Sequence, residues 1–299
     1  KADKPPGFLA QEYDPLADPF DMPSPRDFGW SLKSPESTRF EIIERPNGQF
    51  CVVLNHSLLR GVTSEMIAWW FQNFANLAVR LDDTPGYEGQ KVGAYLLWHP
   101  SDHCRASLEG KLGPLGEARA GASIHIQEEM QYDTYVLKYP VNAALKIFYC
   151  EPDGWAMGKS FPLLGKVMCL RIHFADVIED GRVIGVHYHY EVVIGATGDN
   201  PLVRALNRKI TAEYSPEFFA AWQRHNTIEG GTFETFLPPL FAQRSGEGDM
   251  HYVRTMDPLG GVVEAQSVHD PELFERRVAG YKQCADPLDY QGPERASFL

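Results

Sequence analysis

Two long strand-like runs, Val167–Ile178 and Arg182–Ile194, are joined by the turn Glu179-Asp180-Gly181, and no other part of the chain limits its fold as strongly. Runs of this kind around a glycine-containing turn pair as an antiparallel hairpin. Further strand candidates precede it: Phe50–Leu54, Val92–Trp98, Ala122–Met130, Tyr135–Tyr139 and Ala144–Cys150. Helices flank them. Ser64 to Val79 carries an apolar stripe of Met66, Trp69, Trp70, Phe74 and Leu77 behind Thr63 or Ser64 as cap. Pro216 to Glu229 follows the cap Ser215 and is expected to stop at Gly230-Gly231. A last helix is expected over Pro271–Gln283. The order helix, several antiparallel strands, helix is α+β and not an alternating β-α-β pattern. One curved antiparallel sheet closing around a helix leaves an interior pocket suited to a small apolar or aromatic ligand.

Composition narrows the function classes. Of 299 residues 43% are apolar, enough for a core, which excludes wholesale disorder. The net charge of −12 argues against general nucleic-acid binding, which needs clustered Lys and Arg facing phosphates. Apolar stretches such as Ala94–Trp98 are too short to span a bilayer, so no membrane partner is expected. The start Lys1-Ala2-Asp3-Lys4-Pro5-Pro6 has no apolar signal core. The five cysteines are odd in number and none has C-x-x-C spacing, which disfavours a disulfide scaffold or a thiolate zinc site. Free thiols in a reducing cytoplasm are the expectation. Any metal would be held by nitrogen and oxygen ligands.

Four segments carry candidate chemistry. His225 and Glu229 are four apart on one helix face, near the stripe of Phe218 and Trp222; a solvated surface pair fits the same spacing. At the helix end, Glu229 would oppose the macrodipole by about 0.3–1 kcal/mol, which a bound cation would offset. In Ser123–Met130 strict alternation puts Glu128 in line with Ile124, Ile126 and Met130, pointing into the core unless the strand ends at Gln127. In Trp98-His99-Pro100-Ser101-Asp102-His103 either histidine can be a ligand, with Asp102 an acceptor for an imidazole N–H, or the segment is a plain turn. His187, His189 and Glu191 share one strand face. They read as a rival metal site, as polar groups meeting phenol or carbonyl oxygens, or as a solvated face. G-x-S-x-G and H-E-x-x-H are absent, so serine hydrolase and zincin readings lose support.

Taken in order, Tyr95, Trp98-His99-Pro100-x-Asp102-His103, Glu128 and His225-Asn226-x-x-Glu229, behind the Trp-Trp-Phe helix at 69–71, resemble the 2,4-diacetylphloroglucinol hydrolase family, which includes phloretin hydrolases. The resemblance runs over about residues 45–240. It implies a helix-grip fold like that of the birch-pollen allergen and START domains, spanning residues 46–245. Residues 1–45 would then be an extended arm and 246–299 a segment packed on the same domain. It implies one Zn2+ held by His103, Glu128, His225 and Glu229. It also implies hydrolysis of the carbon–carbon bond between an acyl group and a phloroglucinol-type ring. Tyr95 would be a catalytic and substrate-binding phenol, Tyr188 and Trp98 would contact substrate, and His187 or His189 would act as acid/base. The partner implied is a small aromatic ketone, with a homodimer as the candidate assembly. Two other readings stay open: a non-catalytic helix-grip protein binding an aromatic ligand, and an iron oxygenase centred on His187, His189 and Glu191.

Overall fold

A computed structural model describes residues 22, 26–81, 91–131, 139–244 and 251–254. The elements in chain order are β1 (Thr38–Glu44), β2 (Phe50–His56), β3 (Leu59–Arg60), α1 (Ser64–Asn73), β4 (Leu77–Arg80), β5 (Lys91–Gly93), α2 (Ala94–Trp98), β6 (His103–Glu109), β7 (Ser123–Met130), β8 (Tyr139–Glu151), β9 (Gly154–Phe161), β10 (Gly165–Glu179), β11 (Arg182–Ile194), α3 (Pro201–Thr211), α4 (Pro216–Gln243) and β12 (His251–Arg254). The fold is α+β, built on a large antiparallel sheet. Its strands run β1-β2-β11-β10-β9-β8-β7-β6, with β3 added on β11. A second sheet joins β12, β4 and β5.

The hairpin forms as the sequence requires. Glu179 pairs with Arg182 across Asp180 and Gly181, both at positive φ (49° and 74°), the turn whose twist matches its strands. Helix α4 crosses the inner face of the large sheet. Phe219 meets Phe50 of β2 at 6.1 Å between ring centroids, Trp222 meets Tyr190 of β11 at 6.0 Å, and Phe218 meets Tyr139 of β8 at 5.6 Å. Beyond them Phe233 and Phe236 join Trp70, Phe71, Phe74 and Trp98 in a buried aromatic cluster. Each such side chain contributes roughly 1.5–3 kcal/mol by leaving water.

Several elements depart from the sequence reading. Helix α1 ends at Asn73, and Leu77–Arg80 is a strand because it pairs with β5 and β12. The apolar run expected as one strand over Val92–Trp98 divides into β5 and the one-turn helix α2; an unbroken apolar run has no period to separate the two. Residues 38–44, expected within an extended arm, form β1. The expected end of α4 at Gly230-Gly231 does not occur. The helix continues to Gln243. A Cβ at Gly230 would run into the His56 ring, and one at Gly231 into the Lys33 stem. These close approaches outweigh a propensity cost of about 1 kcal/mol per glycine. The expected helix Pro271–Gln283 and most of 1–45 and 246–299 lie outside the described residues.

Candidate metal centre

Three elements bring four side chains together. His103 opens β6 and pairs directly with Glu128 of β7, so both project to the inner face. Alternation in β7 buries Ile124, Ile126, Glu128 and Met130 and turns His125, Gln127 and Glu129 outward. On α4, His225 and Glu229 are buried one turn apart, facing β6 and β7. His103 Nε2 lies 3.0 Å from Glu229 Oε1 and 3.5 Å from Glu128 Oε2. His225 Nε2 lies 3.5 Å from Glu229 Oε1 and 3.8 Å from Glu128 Oε2. His103, His225 and Glu229 form a group that could hold a metal ion, and Glu128 lies within 3.8 Å of both imidazoles at its edge.

The supporting hydrogen bonds fix which atoms face inward. His103 Nδ1 donates to the Tyr95 backbone carbonyl at 2.7 Å, which can only accept. His225 Nδ1 donates to Asp102 Oδ2 at 3.0 Å. Both Nε2 atoms therefore face the two carboxylates. The Tyr95 hydroxyl donates to Glu128 Oε2 at 2.6 Å, and the Tyr95 ring stacks on His103 with centroids 3.8 Å apart. Two carboxylates converging on two imidazoles in a buried space need a positive charge between them, either a proton on His225 or a bound cation. Two carboxylates and two imidazoles suit a divalent ion, and their outward hydrogen bonds are those that orient histidine ligands.

Protonation equilibria report the same field. Burial alone would lower the pKa of His225, but Glu229, Glu128 and the bond to Asp102 raise it well above its ordinary value. Burial would raise Glu229, yet the imidazoles of His225 and His103 bring its carboxyl down to about 2. Burial would also raise Asp102, and His99 with His225 hold it far below the carboxylate range. The ionised Asp102 is braced by Ser101 Oγ at 3.0 Å and the Gln131 amide at 3.2 Å.

His99, Asp102 and His225 form a second cluster of groups able to hold a metal. Their bonds argue for a supporting role. His99 Nδ1 accepts from the Asp102 amide at 3.0 Å, its ring stacks on His225 at 4.6 Å, and burial lowers its pKa well below the usual value, leaving it neutral. His225 cannot give the same nitrogen to Asp102 and to an ion.

The expected pair His187 and His189 is not brought to this centre. In β11 the buried residues include Tyr188 and Tyr190, which face α4; His187, His189 and Glu191 occupy the opposite, partly exposed face. His189 bonds Asn55, and Glu191 lies 3.6 Å from Arg45 and 3.5 Å from Arg171. The strand's period puts the histidines outside the sheet because the tyrosines carry the larger apolar area inward. An acid/base role at the centre for either histidine, and a metal site on His187, His189 and Glu191, are therefore not supported. Nor does Glu229 sit at a helix end: it lies mid-helix, so the macrodipole argument does not apply.

Sequence reasoning missed His56. It ends β2 on the same face as Val52 and Leu54, a signal the alternation from Phe50 onward contains. Its ring meets Tyr188 edge-on at 5.1 Å, and neither ring nitrogen has a hydrogen-bond partner among the described residues; the same holds for Tyr188 Oη and Trp98 Nε1. Burial, then Lys33, lower His56 to about 3.

Glu128 also borders an apolar pocket that is partly open to solvent. Strands β2 and β7 to β11, with Phe218, Phe219 and Trp222 of α4, line it; Glu128 is its one charged lining residue among those described. No protein-family model matches the chain, and no curated protein matches it. Among solved structures it is similar to one described as the crystal structure of Ara h 8.0201, at 13% identity and a TM-score of 0.30, over 62% of this chain and 99% of that chain. Among the described residues no helix is long and apolar enough to cross a membrane.

Proposed function

We propose that this protein is a zinc-dependent hydrolase that cleaves the carbon–carbon bond between an acyl group and a phloroglucinol-type ring, on a helix-grip scaffold. The observation that carries the reading is the convergence of His103, Glu128, His225 and Glu229 at the edge of an apolar cavity. When bound there, zinc supplies Lewis-acid activation of a carbonyl and of water.

The chain's own residues hold the ligands and the substrate. Asp102 and the Tyr95 carbonyl keep the two imidazoles in one tautomer, and the Tyr95 hydroxyl holds Glu128. An acylphloroglucinol in its keto tautomer makes the ring carbon the α-carbon of a ketone. Water adds its hydroxyl to the acyl carbon, the acyl–ring bond breaks, and the electron pair passes to the ring and its oxygens. A proton then closes the ring carbon, giving a carboxylic acid and the free phenol. The neutral His56, whose ring nitrogens have no partner among the described residues, offers a hydrogen bond to a ring oxygen.

The test combines metal analysis with acylphloroglucinols, including diacetylphloroglucinol and phloretin, monitored for released phenol and acid. Turnover lost in His103→Ala and Glu229→Ala, with the fold retained, is expected. Active protein that contains no zinc sinks the reading. The almost wholly apolar lining of the cavity also suits a non-catalytic carrier of an aromatic ligand. Tight binding without turnover at any zinc level identifies that alternative.

A further inference from the structure

The end of the large sheet where β10 begins leaves apolar side chains in water. The turn from β9 to β10 reads Phe161-Pro162-Leu163-Leu164, and the Leu164 amide donates to the Phe161 carbonyl at 3.3 Å. Pro162 followed by a positive φ of 70° at Leu163 marks a type II turn, whose third residue is ordinarily glycine or asparagine. Leu163 is fully exposed, Phe161 is half exposed, and Leu202 at the start of α3 is 78% exposed. A leucine held in the left-handed region with its side chain wholly in water contributes nothing to folding. Turn and helix adjoin, because Leu164 and Leu206 both pack on the buried cluster of Val167, Ala196 and Val203.

Helix α3 is basic on its open side. Val203, Asn207 and Thr211 are buried, while Leu202, Arg204, Arg208 and Lys209 face solvent. Pro201–Thr211 contains no acidic residue, although the whole chain has a net charge of −12. Asp199 lies 3.4 Å from Arg204 and offsets it in part, and Glu213 follows the helix. Exposed Lys166 adds a cation just after the turn, 4.8 Å above the Phe148 ring. Asn207 holds the helix on the sheet: its side chain accepts from the Ala196 amide at 2.7 Å and donates to the Asn47 carbonyl at 3.0 Å. Screening over about 8–10 Å makes charges near a contact count for more than the distant net charge.

We infer that this face, the β9–β10 turn with the open side of α3, docks peripherally on an anionic lipid bilayer. Phe161, Leu163 and Leu202 enter the boundary between headgroups and acyl chains, while Lys166, Arg208 and Lys209 meet the headgroup anions. Such a contact needs no spanning segment. Exposed apolar side chains gain nothing against a phosphate backbone in water, so the mixture of charge and apolar surface favours lipid over nucleic acid. The inference does not depend on the metal centre.

The test measures co-sedimentation of the full chain, as purified, with vesicles of phosphatidylcholine alone and of phosphatidylcholine with phosphatidylserine. Tighter binding to the anionic vesicles, weakening as salt rises, is expected. Arg208→Ala and Lys209→Ala are each expected to weaken it about fivefold. Leu163→Asn is expected to weaken it about tenfold, the effect of keeping one leucine out of lipid. Its melting temperature should be unchanged or raised, because asparagine accepts a positive φ. Equal binding to the two vesicle types, or none to either, overturns the inference with no variant needed. Binding that Leu163→Asn leaves unchanged also overturns it. A single-stranded RNA held more tightly than the anionic vesicles, and equally by Leu163→Asn, assigns the basic face to nucleic acid instead.

Discussion

Replacing Asp102 by Asn is a direct probe of the metal centre because Asp102 touches no ion itself. Its carboxylate is fully buried and ionised, and Oδ2 accepts from His225 Nδ1 at 3.0 Å. An asparagine fits the same bonds: its carbonyl can accept from His225 and from the Gln131 amide, while its NH₂ meets Ser101 Oγ. Only the charge is lost. The charge raises the electron density on the opposite nitrogen, Nε2, and partners of this kind support metal affinity by about 10–100-fold. That factor corresponds to about 1.4–2.7 kcal/mol. Competition with a chromophoric chelator measures it, and circular dichroism checks the fold. Asp102→Ala is expected to cost more, because the Gln131 amide and the Ser101 hydroxyl would be left unbonded at about 1–3 kcal/mol each. Zinc affinity in Asp102→Asn within twofold of the native value would refute the assignment of His225 as a ligand oriented by Asp102.

Other outcomes follow from the same geometry. Zinc at a hundredfold excess over its dissociation constant adds about 2.7 kcal/mol to stability, a rise of roughly 5–11 °C in melting temperature for a domain of this size; calorimetry with and without chelator reads it, and no difference excludes the site. Tyr95→Phe removes the 2.6 Å bond to Glu128 and is expected to destabilise the metal-free protein by about 1–3 kcal/mol, measured by urea unfolding; an unchanged midpoint contradicts the role given to that hydroxyl. His56 gives an acid limb. Its folded pKa of about 3 lies below the ordinary 6.5, so its contribution is complete above pH 6.5. It is lost as pH falls toward 3, because the unfolded chain takes up the proton first. In chelator the native protein should lose ~1.4 kcal/mol per pH unit between pH 6 and 4 beyond what His56→Gln loses. Parallel pH profiles for the two proteins would disprove the buried neutral state.

Much of the site was visible locally. The i,i+4 spacing of His225 and Glu229 and the alternation from Ser123 to Met130 state which side chains share a face. The Asp-Gly turn states that the runs Val167–Ile178 and Arg182–Ile194 pair, as they do within β10 and β11. The errors arose where covering decided the matter. The β11 period separated His187 and His189 from Tyr188 and Tyr190 without saying which pair faced the helix. Glycine propensity ended α4 at Gly230, and the His56 ring and Lys33 stem reversed that.

Sequence by itself determined the strand alternation, the hairpin turn, the helix cap at Ser215, the choice of Thr63 or Ser64 for the other, and the residue types able to hold a cation. Only the tertiary structure decided that His103, Glu128, His225 and Glu229, from three elements, meet within 3.0–3.8 Å, that Asp102 and Tyr95 hold them there, and that a cavity opens beside Glu128. The physical reason is range. Backbone geometry repeats every two or 3.6 residues and fixes relative direction along one element. Which direction points inward depends on apolar area buried against elements a hundred residues away, a quantity no local window contains.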